Sequence, residues 1–513
     1  MKRILTTLMA MALVLSATLP VLANAIGFNV KGQWMMAFGV GDNSLSKEGR
    51  ELRREDDFAV RQRIFLQLDA RASENLSGTL QLHIGPQQWG HAATGGALGT
   101  DGTPVKVRQA CIDWQIPNTS MQLRMGLQYF ILPNAAGGSA IFDTRTAGIV
   151  GNYAFNDTVG LSAFWIRPFN DNFDASSPYE SRDKNNNYLD NMDLWGLSLP
   201  VQMDGFSVTP WVMYGIQGRN AQKFADYRTN NLMDGYPAVT LNPWLNGLDA
   251  NGMNVTNFNP ASKVYGSMFW AGLPIIISAF EPWNFEIDLN YGFVESMGRY
   301  DAIKRNNPSD VERGSSQRQG WLVKALAEYK TDWGVPGIFA WYASGDDGNV
   351  KNGSERMPSL CAYGSFTSYL GDGNEHWGPG LTYFDHALNY AGTWGVGVQI
   401  RDVSLVENLS QTLRVAYWGG TNSPAMVKYM DQALAWDSTY MYSDGPYLTT
   451  NDGLLEVNFI SKYDIYENLT ANLELGYVAN FIDNSTWKRG YQNWGSYSKQ
   501  DMWKAQLLIK YSF

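Results

Sequence analysis

Charged side chains recur at every second position along several stretches of this chain. Arg61, Arg63, Asp69 and Arg71, with Gln67 among them, alternate with Val60, Ile64, Leu66 and Leu68, so an extended backbone puts the two sets on opposite faces. Arg124 stands the same way between Leu123 and Met125, and Glu286 and Asp288 between Phe285, Ile287 and Leu289. Lys324, Arg401 and Arg414 add further basic positions. A fixed row of charges on one polar face makes and breaks no bonds. Across a confined aqueous space it sets up a field, which low-dielectric walls focus and which sorts small solutes by charge. The stretch 131–146 indicates where such a space narrows: it carries Ala135, Ala136, Gly137 and Gly138 and ends in Phe142-Asp143-Thr144-Arg145-Thr146. Small residues let a loop fold back against an inner wall, where irregular backbone is tolerated. Asp143 and Arg145, facing Arg61, Arg63, Arg71 and Arg124, are therefore the expected constriction. Lys324, Arg401, Arg414, Glu286 and Asp288 are expected to line the passage beyond it. Taken singly, each of these equally fits a wall charge that is solvated and pairs with a neighbour. The arginines as a group are more telling, because several on adjacent strands repel one another unless anions or carboxylates attend them.

Patterns for other chemistry are missing. There is no Gly-x-Ser-x-Gly elbow, no His-Glu-x-x-His run and no phosphate loop, so neither an enzyme nor a cofactor is expected. The four histidines, His83, His91, His376 and His386, have no metal-ligand spacing. Gly345-Asp346-Asp347-Gly348-Asn349 has the start of a calcium loop but not its bidentate glutamate, and a polar turn accounts for it. Cys111 and Cys361 make no disulfide framework and are expected to stay unpaired. A net charge of −10 without basic runs gives no support for nucleic-acid binding. Acidic residues gather in a stretch holding Asp42, Glu48, Glu51, Glu55, Asp56 and Asp57. That loop acid attracts cations while the basic wall favours anions, and the sequence leaves the preference open. Trp244, Tyr363, Tyr369 and Trp377 fall in loops, where rings stack on sugars, cap a barrel or pack between subunits.

The elements that must position these residues are strands. Period-two runs continue with Leu76, Leu80, Leu82 and Ile84 against Ser77, Thr79, Gln81 and His83. The last one sets Trp503, Ala505, Leu507, Ile509, Tyr511 and Phe513 against Lys504, Gln506 and Lys510. Short turns near 73–75, 117–118, 156–157, 204, 282, 333–334, 404–406 and 467–468 alternate with long Gly/Asn/Asp/Ser-rich loops. Nine such loops imply an all-β transmembrane antiparallel barrel of about 18 strands, or 16 if the pair 146–168 belongs to an inward loop. The composition agrees: 44% apolar, 13% aromatic and only 17% charged residues, against about 25% charged in soluble chains. No stretch after the amino terminus approaches the ~20 apolar residues of a spanning helix; positions 270–280 are broken by Gly272 and Pro274. Lys2 and Arg3, the uncharged positions 4–19 and Ala23-Asn24-Ala25 read as a cleaved signal peptide over 1–25. Residues 26–513 then form one barrel domain destined for the bacterial outer membrane, in contact with its lipid and lipopolysaccharide. Ile275-Ile276-Ile277 breaks the alternation, as a strand covered on both faces does, or as a lipid-facing patch with one inward isoleucine.

The opening Gly27-Phe28-Asn29-Val30-Lys31-Gly32, the Arg61-Gln62-Arg63 strand and the ending Tyr511-Ser512-Phe513 resemble the outer-membrane homotrimeric porins of sulfate-reducing bacteria, over the whole mature chain. The resemblance implies a trimer of barrels, each with its own channel for passive diffusion of ions and small hydrophilic solutes. A substrate-specific channel, for example one selecting sugars, is the alternative. A barrel hydrolase would need a nucleophile paired with a histidine, and a gated receptor would need a globular plug before the first strand.

Overall fold

The structure, a computed structural model, describes residues 26–42, 45–48, 58–99, 105–170, 191–218, 255–260, 262–304, 307–370, 390–430, 446–488 and 497–513. The signal segment 1–25, His376, His386, Trp244 and Trp377 lie outside them.

The alternating segments pair antiparallel, each with the next. The first six are β1 (Gly27–Asp42), β2 (Ala59–Arg71), β3 (Leu76–Gln88), β4 (Val105–Gln115), β5 (Met121–Ile131) and β6 (Asp143–Ala154). Next come β7 (Gly160–Asn170), β8 (Asn191–Ser198 continued by Val201–Met203), β9 (Phe206–Val208 continued by Trp211–Gly218), β10 (Tyr265–Ile277), β11 (Trp283–Val294) and β12 (Arg318–Tyr329). The circuit ends with β13 (Val335–Ala343), β14 (Thr393–Val406), β15 (Leu409–Gly420), β16 (Gly453–Tyr466), β17 (Leu469–Asn480) and β18 (Met502–Ser512). β18 returns to β1, from Gln33 opposite Ser512 to Asp42 opposite Trp503, so the sheet closes and no edge faces lipid. β8 and β9 are interrupted at Pro200 and Pro210, which lack the N–H a ladder needs. The ladder is rejoined there by Leu199 N–H to Pro210 O (3.0 Å) and Thr209 N–H to Pro274 O (3.1 Å). The pair β6 and β7 belongs to the wall, so the barrel has eighteen strands and not sixteen.

Pleating sends alternate side chains outward and inward. On β12, Trp321 and Val323 are exposed on the outer face while Leu322, Lys324 and Glu328 are buried inside. Exposed aromatics gather at two levels. Trp114, Tyr153, Trp283, Tyr329, Tyr463 and Tyr511 lie near the short turns, and Tyr129, Trp195, Tyr214, Trp321, Tyr342 and Tyr477 near the long loops. From Trp321 to Tyr329, strand rise and tilt give a separation of roughly 20 Å, close to the height of a lipid-facing band. Between the levels the outer face carries Leu289, Val323, Val396, Leu413, Leu473 and Leu507. Alternation holds even at 275–277: Ile275 and Ile277 oppose Ile287 and Phe285 outside, and Ile276 opposes Glu286 inside. The run is thus a lipid-facing patch with one inward isoleucine.

Leu473 lies in the middle of the apolar band, so Leu473→Arg is expected to cost about 2–4 kcal/mol. The measurement is the urea midpoint of unfolding from lipid vesicles; an unchanged midpoint would place Leu473 outside the hydrocarbon.

Candidate functional site

The inner wall is unequal around its circumference. On β2 to β5 the inward side chains are mostly half-exposed. On β11 to β18 most of them are buried, among them Asp288, Lys324, Glu328, Glu456 and Gln506. What covers them is two loops folded inward, 132–142 and 354–370, stitched to each other by main-chain bonds. Leu360 and Cys361 N–H donate to Ile141 O (2.9 and 3.0 Å), Tyr363 N–H to Ser139 O (2.7 Å) and Ser365 N–H to Gly137 O (2.9 Å). Gly138 has φ +81°, and a Cβ there would stand 2.1 Å from Tyr363 O, so this crossing admits only glycine.

Wall side chains hold the backbone of both loops. Lys324 Nζ donates to Gly138 O, Trp211 Nε1 to Pro133 O (3.0 Å) and Trp270 Nε1 to Pro358 O (3.0 Å). Arg318 donates to the carbonyls of Arg356 (2.8 Å) and Met357 (2.9 Å). Glu456 accepts from Tyr369 N–H (2.8 Å) and Asn458 from Ser368 N–H (2.7 Å), while Lys504 Nζ donates to Ser368 O (3.1 Å). Packing completes the seal: Phe339 stacks on Phe366 at 4.9 Å, and Trp341 meets Trp418 at 4.5 Å between ring centroids. These rings are almost fully buried.

The open wall is layered. At the long-loop end Phe65 turns inward, with the guanidinium of Arg63 5.0 Å and that of Arg108 4.2 Å from its ring centre. His83 lies beside it at 4.8 Å between centroids, and Arg61 shares this face one step above Arg63. Below them Gln67, Gln81 and Gln109 are joined amide to amide across β2, β3 and β4. Next comes Asp69, which accepts from Gln67 (2.8 Å) and Thr79 (2.9 Å) and pairs with Lys31 (3.2 Å). At the short-turn end Arg124 forms a forked pair with Asp113 (2.7 and 3.0 Å), and the exposed Arg71 donates to Ser73 O (3.3 Å).

Arg61, Arg63, Arg71 and Arg124 are thus brought to one wall, spread along its height. Asp143 and Arg145 do not face them. Asp143 opposes Ile131 and Arg145 opposes Tyr129, which puts both on the outer face with Ala147 and Ile149. There Tyr129 Oη donates to Asp143 and Arg145 lies 5.4 Å from the Tyr129 ring. The strand begins at Asp143, so the loop ends four residues short of Thr146, and counting back by two from Ile149 gives the outer face. Lys324 and Asp288 form a buried pair at 2.9 Å, so they anchor a loop and line no open passage. Arg401 is forked onto Glu328 (2.6 and 2.8 Å), Arg414 donates to Gln399 (3.2 Å) and Glu286 accepts from Asn284 (3.0 Å), all on the covered side. The sequence reading missed Phe65, Gln109, Glu456 and Lys504 as functional positions. Gln109 was hidden by a bulge, since Gln81 opposes Gln109 while Leu82 opposes Val107.

Cys111 and Cys361 are not joined. Asp346 accepts from Ser354 (2.6 Å) and Tyr447 (2.7 Å), and Asp347 from Asn349 N–H (2.7 Å), so the 345–349 run ties loops together. Among the described residues no group of three or more His, Cys, Asp or Glu side chains suits a metal ion.

No protein-family model matches the chain, and no curated protein does. Among solved structures it is similar to the outer membrane protein OpdK of Pseudomonas aeruginosa, with a TM-score of 0.46 and 10% identity, covering 95% of this chain and 100% of that one. OccK9 (OpdG) of the same organism gives 0.48 and 10% over 95% and 98%, and OccK11 (OpdR) 0.45 and 11% over 94% and 96%. The barrel assignment rests on the strand pairing of this chain itself.

Two expectations follow. Lys324→Met leaves the Asp288 carboxylate buried and unpaired, which costs about 3–5 kcal/mol; adding Asp288→Asn should recover part of it. Urea unfolding of the wild type and the two variants checks this, and an unaffected single variant would mean the pair is not buried. The second concerns Glu355, whose carboxyl is pushed up to about 7 by burial beside Asp346 and Asp347, although Asp347 N–H donates to it. A carboxyl raised on folding destabilises the folded loop once ionised. That penalty is absent below the ordinary carboxylate range near ~4.3 and complete above about 7. Hydrogen exchange of 354–361, corrected for intrinsic rates, should be more protected at acidic than at alkaline pH, and Glu355→Gln should abolish the difference.

Proposed function

We propose that the chain is an outer-membrane porin, exported by a cleaved signal over 1–25, whose lumen passes ions and small hydrophilic solutes by passive diffusion. The observation that carries this reading is the closed eighteen-strand barrel with an apolar outer band between two aromatic levels and a polar, half-exposed inner wall on β2 to β5. Such a wall is wasted on a purely structural barrel. Arg61, Arg63, Arg71 and Arg124 set the charge of the passage in this reading, with the two inward loops as its opposite side. Membership of the homotrimeric porins of sulfate-reducing bacteria, and hence a trimer in contact with lipopolysaccharide, is the finer form of the proposal. It is supported by the likeness of the opening, the Arg61-Gln62-Arg63 strand and the ending.

Planar-bilayer recording of detergent-extracted protein is expected to give stepwise conductance in groups of three. The reversal potential in a salt gradient reports the sign of selectivity. A folded, heat-modifiable barrel that passes no current would overturn the channel, and single steps with a monomer on cross-linking would overturn the trimer.

A further inference from the structure

We propose that Gln67, Gln81 and Gln109 form a binding track for neutral, polyhydroxylated solutes, so that the passage selects sugars; this rests on the channel reading above. The three side chains stand in one row across β2, β3 and β4, on the side of the lumen that the inward loops leave open. Gln109 Nε2 donates to Gln81 Oε1 (3.0 Å), Gln81 Nε2 to Gln67 Oε1 (3.1 Å) and Gln67 Nε2 to Asp69 Oδ1 (2.8 Å).

The direction of this chain is imposed from one end. Asp69 is held by Lys31 and Thr79, and an ionised carboxylate only accepts, so Gln67 must present its amide N–H and turn its carbonyl to Gln81. Gln81 and Gln109 are then oriented in turn, and the far end is caught where Tyr129 N–H donates to Gln109 Oε1 (3.4 Å). Bonds in such a series polarise one another.

Each amide spends one N–H on its neighbour and keeps a second, and the carbonyls of Gln67 and Gln81 each keep a lone pair. The side chains are half-exposed, so these remaining valences meet water. The result is an uncharged strip with donors and acceptors alternating at the strand spacing of about 4.8 Å, oriented before any solute arrives. A hydroxyl both donates and accepts, so a sugar can exchange its water for both kinds of site. A carboxylate finds carbonyl lone pairs opposing it at this level, and a metal cation finds amide N–H groups. Neutral hydrogen bonds of modest net strength also suit a passage, since a solute must leave as well as enter.

The test uses maltotriose as probe on the full detergent-solubilised protein. Equilibrium dialysis measures binding without reference to current, and bilayer recording measures block. We expect saturable binding and saturable block by maltotriose, both weakened about tenfold in Gln81→Leu. Gln109→Leu, at the outer end of the row, is the second variant should Gln81→Leu fail to insert. Absence of maltotriose binding, or binding equal in wild type and both variants, overturns the track. Block by gluconate and not by maltotriose overturns it too, and assigns recognition to the arginine level around Phe65. A protein that binds maltotriose in dialysis but carries no current keeps the track and loses the channel, whereas one that conducts without binding loses only the track.

Discussion

Every feature of this protein depends on the ladder between its first and last strands. In hydrocarbon an unpaired N–H or C=O costs several kcal/mol, so a spanning sheet must have no edge. Gln33 to Asp42 on β1 pair with Ser512 back to Trp503 on β18, and that junction turns a strip of hairpins into a wall. Inside and outside become distinct only once it forms. The apolar set of each strand then meets lipid and the polar set is turned to the interior.

Closure of eighteen strands encloses more space than wall side chains fill, and the two sides of this barrel treat that space differently. Along β9 to β18 much of the space is taken up by loop backbone. Loops carry polar main-chain groups that cannot be left bare when buried, and the wall supplies matching partners in Lys324, Arg318, Asn458, Glu456, Lys504 and two tryptophan N–H groups. Much of the buried charge on this side therefore serves to seat loops. Along β2 to β5 the described residues give no such cover, and the wall bonds within itself, through Arg124 with Asp113 and through the amide row ending at Asp69.

The inward course of the two loops is accordingly a joint product. The 132–142 loop is shaped by its glycines, yet it stays inside the barrel because 360–365 runs beside it and Lys324 grips Gly138. Neither partner is near it in sequence. A segment rich in small residues is free to fold inward, but only a contact more than a hundred residues away decides that it does.

What the sequence by itself determined is the wall. Period-two alternation from Val60 to Phe513, the eight short turns and the aromatic levels follow from local geometry, because successive strand residues point to opposite faces whatever the rest of the chain does. The lumen facing of Arg61, Arg63, Arg71 and Arg124 was legible for that reason. Carried one strand further, the same rule would have put Asp143 and Arg145 on the outer face, where they stand. The tertiary structure alone decided which inward residues meet water. Lys324, Asp288 and Glu456 alternate as faithfully as Gln67 and Gln81, but two loops cover the former and not the latter. Burial of that kind depends on contacts between segments far apart in the chain, and no pattern within a strand records it.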